Sequence, residues 1–249
     1  MKDYKRFWDC VYVINLEHRT DRWESISKLA NDAGLEINRW DAFKSTDVNL
    51  EKHRIGVRVK KQSCVACSLS HIGIYRDALS KGYDRILVLE DDADIPADLY
   101  EQVETFFNEN SMDHLNYDLI YLGGADKYPP AQLYDTLAIS QYTLLTHAML
   151  FSKEGMEKVI DITDNQDEGK CRMSIDVFLA ENIQSLNQTY QAVPSIIKTI
   201  ASHSDIAGWK RSWDSVLKDC RNQGLKNPKK WSHFEERAKT LIKNKQLVK

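Results

Sequence analysis

The chain has 249 residues, 42% hydrophobic and 29% charged, enough apolar material for a sizeable core and too much for intrinsic disorder. Its 34 basic and 37 acidic residues leave a formal charge of −3, too balanced for a protein that coats nucleic acid, so no nucleic-acid partner is expected. The average hides a division, because residues 210–249 hold 12 basic and 4 acidic residues, a net of +8, and residues 1–209 carry the remaining −11.

No run approaches the roughly 20 apolar residues of a membrane-spanning helix, and the polar opening lacks the apolar centre of a signal peptide. A cytoplasmic protein is the expectation. Five cysteines (Cys10, Cys64, Cys67, Cys171, Cys220) are an odd number without disulfide-like density, which suits a reducing compartment. Cys64 and Cys67 form a single CxxC. A structural zinc site calls for a second such pair or nearby histidines, and a redox motif calls for a thioredoxin-like unit, so buried thiols at a helix start are the simpler expectation.

In chain order, Val11-Tyr12-Val13-Ile14-Asn15-Leu16 reads as a buried strand, residues 21–33 as an amphipathic helix closed by Gly34, and residues 37–40 as a second strand. This is a βαβ opening, and parallel pairing puts helices on both faces of the sheet. Residues 41–62 read as a long polar loop of the kind that often carries function. Residues 68–81 have helical spacing and end at Gly82, and Arg85-Ile86-Leu87-Val88-Leu89 is an apolar strand stopping at Glu90-Asp91-Asp92-Ala93-Asp94. Pro96 starts the next predicted helix, to about residue 108. A strand over residues 119–122 ends at Gly123-Gly124, the stretch to Leu137 reads as loop, and a further strand spans residues 144–151. Helices are predicted over residues 152–160 and 175–185, the second capped by Ser174, then a strand at residues 190–193 stopped by Pro194. The tail adds helices near residues 212–221 and 228–245. Strands alternating with helices predict an α/β fold with a mostly parallel sheet, one domain over residues 1–209 and a basic helical extension over residues 210–249.

In open α/β sheets ligands bind beyond the carboxyl ends of the strands, where the acidic run falls. Four carboxylates in five residues repel one another unless a cation sits among them, and oxygen ligands suit Mg2+ or Mn2+. A solvated acidic turn is the plain alternative. Such an ion commonly grips a substrate diphosphate, which points to a nucleotide-sugar transferase; no GxxxxGK[ST] or GxGxxG sequence marks another phosphate-binding fold.

Several ordered segments resemble glycosyltransferase family 25, the lipooligosaccharide and procollagen galactosyltransferase family. They are Ile14-Asn15-Leu16 with Arg19, Asp21 and Arg22; Cys67-Ser68-Leu69-Ser70-His71; Leu89-Glu90-Asp91-Asp92-Ala93; Thr146-His147-Ala148-Met149-Leu150-Phe151-Ser152; Ile175-Asp176 with Phe178-Leu179; and Ser204-Asp205-Ile206. Ala66, Tyr75 and Met149 depart from the family's usual Gly, Trp and Tyr. The resemblance implies a GT-A-like fold and transfer of galactose or glucose from a UDP-sugar to a hydroxyl with inversion. A glycan, a glycolipid or a hydroxylysine-type protein would be the acceptor.

Within that frame Asp92 and Asp94 are the expected metal ligands, with Glu90 and Asp91 as further ligands or donor contacts. Inverting transfer needs a general base; Asp176, just inside a helix start, is the first choice and Asp205 the second, although a helix dipole favours an Asp at that position anyway. His203 is a candidate metal or phosphate contact. Arg19 and Arg22 suit diphosphate or uracil recognition, with a salt-bridged helix start through Asp21 as the alternative. Asn15 is a candidate reader of the base, and Ser70 and His71 are candidate donor contacts. Trp213, Trp231 and Phe234 among the tail lysines make the extension a candidate for peripheral contact with an anionic membrane or acceptor, against simple packing on the body. A non-catalytic nucleotide-sugar or glycan-binding protein of the same fold is the competing reading.

Overall fold

The computed structural model describes residues 2–48, 62–165, 174–184, 188–200, 202, 203 and 210–212, and beyond these only 214, 215, 217, 218, 236, 239, 240, 242 and 243. Asp205, and most of the two helices expected in the tail, lie outside the described residues.

The order is β1 (Cys10–Asn15), α1 (Thr20–Ala33), β2 (Asn38–Asp41), α2 (Gln62–Ser80), β3 (Arg85–Glu90), β4 (Ala93–Asp94), α3 (Leu99–Glu109) and β5 (Leu119–Asp126). There follow β6 (Ala131–Gln132), β7 (Leu137–Ile139), β8 (Thr143–Ser152), α4 (Lys153–Asn165), α5 (Ile175–Asn182), β9 (Thr189–Ala192), β10 (Lys198–Thr199), β11 (Ser202–His203) and β12 (Lys210–Arg211). Eight strands form one sheet in the order β2-β1-β3-β8-β5-β9-β7-β6. β2, β1, β3, β5, β9 and β6 run one way, while β8 and β7 run against them, so the sheet is mixed but mostly parallel in direction.

Alternation along apolar strands explains the layering. Val11, Val13, Leu87, Leu89, Ile120 and Leu122 point to one face and pack with Ile26 and Ala30 of α1 and Val103, Phe106 and Phe107 of α3. The intervening Tyr12, Ile14, Ile86, Val88, Leu119 and Tyr121 point to the other, against Ile74 and Tyr75 of α2, Met156 and Val159 of α4 and Phe178 and Leu179 of α5. A strand buried on both sides must be apolar at every position, and so these runs show no polar alternation. Gly34 closes α1 at φ 68°, its N–H donating to the Ala30 and Asn31 carbonyls, and Gly82 follows α2 at φ 73°.

Four local expectations are corrected. α2 begins at Gln62 rather than Ser68, which puts the CxxC inside the helix. α3 begins at Leu99, three residues beyond Pro96. Gly123 and Gly124 lie within β5 and do not end it. The stretch before Leu137, expected as loop, supplies β6, whose pairing with β7 extends the sheet edge. The chain just past residue 209 returns to the body, since β12 pairs antiparallel with β11; Leu217 and Ile242 also pack against the body's apolar clusters.

Candidate active site

Parallel pairing places the carboxyl ends of β1 and β3 side by side, with Ile14 opposite Glu90. Beyond them opens a cleft of about 360 Å³, walled by Leu16, Ala42, Phe43 and Cys67 and floored by Glu90, Asp91 and Asp92. Phe43 is 45% exposed at its rim, and the Phe43 N–H donates to Ser70 Oγ at 2.9 Å, which holds the loop after β2 onto α2. Lys44 and Glu17 pair across the mouth at 2.6 Å.

Each of the three carboxylates meets a different environment. Asp91, 8% exposed, accepts from Asn15 Nδ2 and from Arg22 Nη1, both at 2.7 Å. Arg39 in turn donates to Asn15 Oδ1 at 2.7 Å, so a cation stands behind the amide that orients Asp91. Burial pushes the Asp91 carboxyl up, with Arg22 and Asn15 opposing it. For Glu90 burial acts the same way, but His71, whose Nε2 lies 3.4 Å from Glu90 Oε1, together with the Thr146 hydroxyl that donates to the same oxygen, brings the group below the usual carboxylate range.

Asp92 has less support. Its Oδ1 is buried without a hydrogen-bond partner, and burial together with the negative charge of Glu90 pushes its carboxyl up to about 7 against the pull of Arg22. A buried oxygen left unpaired beside two other carboxylates costs free energy unless something binds it. An all-oxygen donor set with this deficit fits a hard divalent cation, so the residues present match the ion the acidic run implies.

Behind Glu90 lies an irregularity in β8. Gly123 pairs with Ala148 and Ala125 with Leu144, so residues 145–147 of β8 face the single residue Gly124. The bulge re-aims its side chains. Leu145 sits at φ 68°, Thr146 reaches Glu90, and His147 Nε2 lies 3.1 Å from the Ile197 carbonyl. Burial pushes the His147 imidazole below its ordinary range. Gly123 is required here, because a Cβ on it would stand 2.0 Å from the Ile197 carbonyl oxygen and 2.3 Å from His147 Nε2.

Of the residues singled out from sequence, Arg22, Ser70, Glu90, Asp91 and Asp92 line the cleft, and Asn15 and His71 touch its carboxylates. Arg19, Asp94 and Asp176 are not among its lining residues. Arg19 makes a two-pronged pair with Asp21 (3.0 and 2.9 Å), the salt-bridged helix start considered above. Asp94 is exposed on β4, where its backbone stands in register with Lys198 of the antiparallel β10. Asp176 accepts from the Ser174 hydroxyl and, at 2.8 Å, from the Val177 N–H at the start of α5. Its charge is nonetheless one of those that, with burial, raise the nearby Cys67 thiol. His203 lies on β11, four residues past the last residue of β10. Arg39, Phe43 and Thr146 were not singled out; Thr146 lay inside a quoted family segment, but its reach to Glu90 depends on the bulge.

A layered α/β domain with an acidic cleft at the carboxyl ends of parallel strands is the class that fold and site define. Residues 9–179 match the family model "Glycosyltransferase family 25 (LPS biosynthesis protein)", and the chain belongs to that family. It is similar to a "Glycosyltransferase 25 family member" of Drosophila melanogaster, 26% identical over 176 residues, 61% of this chain and 28% of the relative. It is also similar to "Procollagen galactosyltransferase 1-B" of Xenopus laevis, 24% identical over 175 residues, 63% and 29% of the two chains. The human "Inactive glycosyltransferase 25 family member 3" is 28% identical over 171 residues, 61% of this chain and 29% of the relative. The chain thus spans less than a third of the length of these relatives. Among solved structures, a glycosyltransferase involved in glycosylation of the major capsid of PBCV-1 aligns at 11% identity and a TM-score of 0.36, covering 63% of this chain and 68% of that one. A similarity this low carries no argument, and the fold rests on strand order and direction.

Proposed function

We propose that the protein is a divalent-metal-dependent hexosyltransferase that moves galactose or glucose from a UDP-sugar to a hydroxyl of a glycan, a glycolipid or a hydroxylysine-type protein acceptor, with inversion. The observation that supports this best is Asp92, whose unpaired buried oxygen lies in the one part of the cleft where three carboxylates converge. Mn2+ or Mg2+ would be held by Asp92 with oxygens of Asp91 or Glu90. Asp94 and His203 are further candidate ligands from the β4–β10 and β11 side. When bound, the ion would neutralise negative charge on the leaving diphosphate.

The chain's own residues divide the remaining work. Arg22, Asn15 and Arg39 hold Asp91 in one orientation, which fixes the floor before the donor arrives. Leu16, Ala42 and Phe43 offer an apolar wall to a base or sugar ring and exclude water from that side. Asp176 is the proposed base that removes the acceptor hydroxyl's proton as the sugar transfers, with Asp205 second. The basic tail would serve an anionic acceptor or membrane surface.

The test is release of UDP from UDP-galactose and UDP-glucose, with and without acceptors. Turnover should require Mn2+ or Mg2+ and disappear in Asp92→Asn; turnover that survives both EDTA and that substitution overturns the metal-dependent reading. UDP binding without product across a broad acceptor panel would instead identify a non-catalytic binder; the human relative's name describes that protein as inactive.

A further inference from the structure

Cys67 and His71 stand one turn apart on the same face of α2, and Glu90 at the end of β3 meets them there. The Cys67 sulfur, a His71 ring nitrogen and a Glu90 oxygen all lie within 4.8 Å of one another. Two neighbours orient the set. Tyr75 Oη lies 3.5 Å from His71 Nδ1 and so leaves Nε2 facing Glu90, and the Thr146 hydroxyl donates to the carboxylate. Cys67 and Glu90 also line the cleft, so one side of the set is open.

We propose that Cys67, His71 and Glu90 form a binding site for a borderline transition metal of the Zn2+ type, distinct from the oxygen-only set around Asp92. Sulfur and imidazole select such an ion over Mg2+ or Mn2+, and three protein ligands with one open position are the arrangement in which zinc keeps an exchangeable ligand. With metal–ligand bonds of about 2.0–2.3 Å, the donors of a tetrahedral site stand about 3.5 Å apart. The widest separation here, at most 4.8 Å, therefore closes by about 1 Å. On binding, the Cys67 thiol releases its proton to solvent as the metal–sulfur bond forms. The ion also draws Glu90 toward α2 and away from the diphosphate side of the cleft.

Co2+ added to the full chain after chelation and dialysis is the test, with no donor or acceptor present, so its outcome is independent of transferase activity. One equivalent should produce a near-ultraviolet sulfur-to-cobalt charge-transfer band that Zn2+ displaces. Cys67→Ser should abolish the band, and His71→Ala should weaken binding at least about tenfold. Cys64→Ser and Asp92→Asn should keep it. Circular dichroism checks the fold of each variant, and if Cys67→Ser does not fold, loss of affinity in Glu90→Gln carries the same test. No band in the unaltered protein, or a band that persists in folded Cys67→Ser, overturns the proposal.

Discussion

Replacing Asp92 by Asn should make the metal-free protein more stable at pH 8 while removing activity. In the unfolded chain this carboxyl titrates at its ordinary value of 3.8, and in the fold at about 7, pushed up by burial and by the charge of Glu90. Between those values the folded state holds a proton that the unfolded state has lost, so Asp92 makes stability fall as pH rises; above 7 the whole penalty is present. At about 1.4 kcal/mol for each tenfold change in proton affinity, a gap of roughly 3 pH units sets a ceiling near 4 kcal/mol. Glu90 shares the repulsion and can relax once Asp92 is neutral, so about 2 to 4 kcal/mol is the expected gain for Asp92→Asn at pH 8. The advantage should shrink between pH 7 and pH 4 and vanish below. Urea unfolding followed by tryptophan fluorescence, after chelation, measures it across that range. Saturating Mn2+ should close the gap by stabilising only the unaltered protein, by about 2.7 kcal/mol at a hundred times Kd. A metal-free Asp92→Asn variant less stable than its parent at pH 8 would refute the reasoning, because it would mean that the carboxylate is satisfied by the fold.

Thr146→Val removes the hydroxyl that holds Glu90 and should lower kcat by about tenfold to a hundredfold, the worth of one hydrogen bond to a charged group, while Thr146→Ser restores it; equal losses in both would assign Thr146 to packing. Gly123→Ala drives a Cβ to 2.0 Å from the Ile197 carbonyl and should cost about 3 kcal/mol or more in urea unfolding. At the far end of the sheet, Asp118 is 0% exposed and receives two bonds from Lys158 Nζ, at 2.6 and 2.8 Å. Lys158→Met should therefore cost about 3–5 kcal/mol, most of it recovered when Asp118→Asn is added.

How far the sequence could be read depends on how local each signal is. β1, β3, β5 and β8 were visible as apolar runs because strands buried on both faces must be apolar at every position, and Gly34 and Gly82 marked helix ends because only the left-handed turn at a C-cap demanded them. β6 and β7 carry two and three residues, and their strand character comes from pairing with each other and with β9, so no window on the sequence contained it. Gly123-Gly124 reads as a stop, whereas Gly123 is there because His147 and the Ile197 carbonyl leave no room for a side chain. At the site, the acidic run and Arg22 were legible, but not that Arg22 serves Asp91 while Asp92 goes unpaired, since that depends on a contact 69 residues apart in sequence. The CxxC spacing points to Cys64, whereas it is His71, one turn further on, that meets Glu90 together with Cys67.

β8 has a role that a list of its neighbours understates. Among the described residues the parallel half β2-β1-β3 and the half β5-β9-β7-β6 have no direct pairing, and β8 stitches the two together. Glu90 comes from one half, Thr146 from the stitch itself and His147 closes on the segment that follows β9. A growing chain therefore has no continuous sheet, and Glu90 lacks the Thr146 hydroxyl, until β8 inserts. That long-range closure is the slow kind. Regain of a correctly held Glu90 on refolding should consequently keep pace with closure of the sheet, because one pairing event joins the halves and brings Thr146 to that carboxylate.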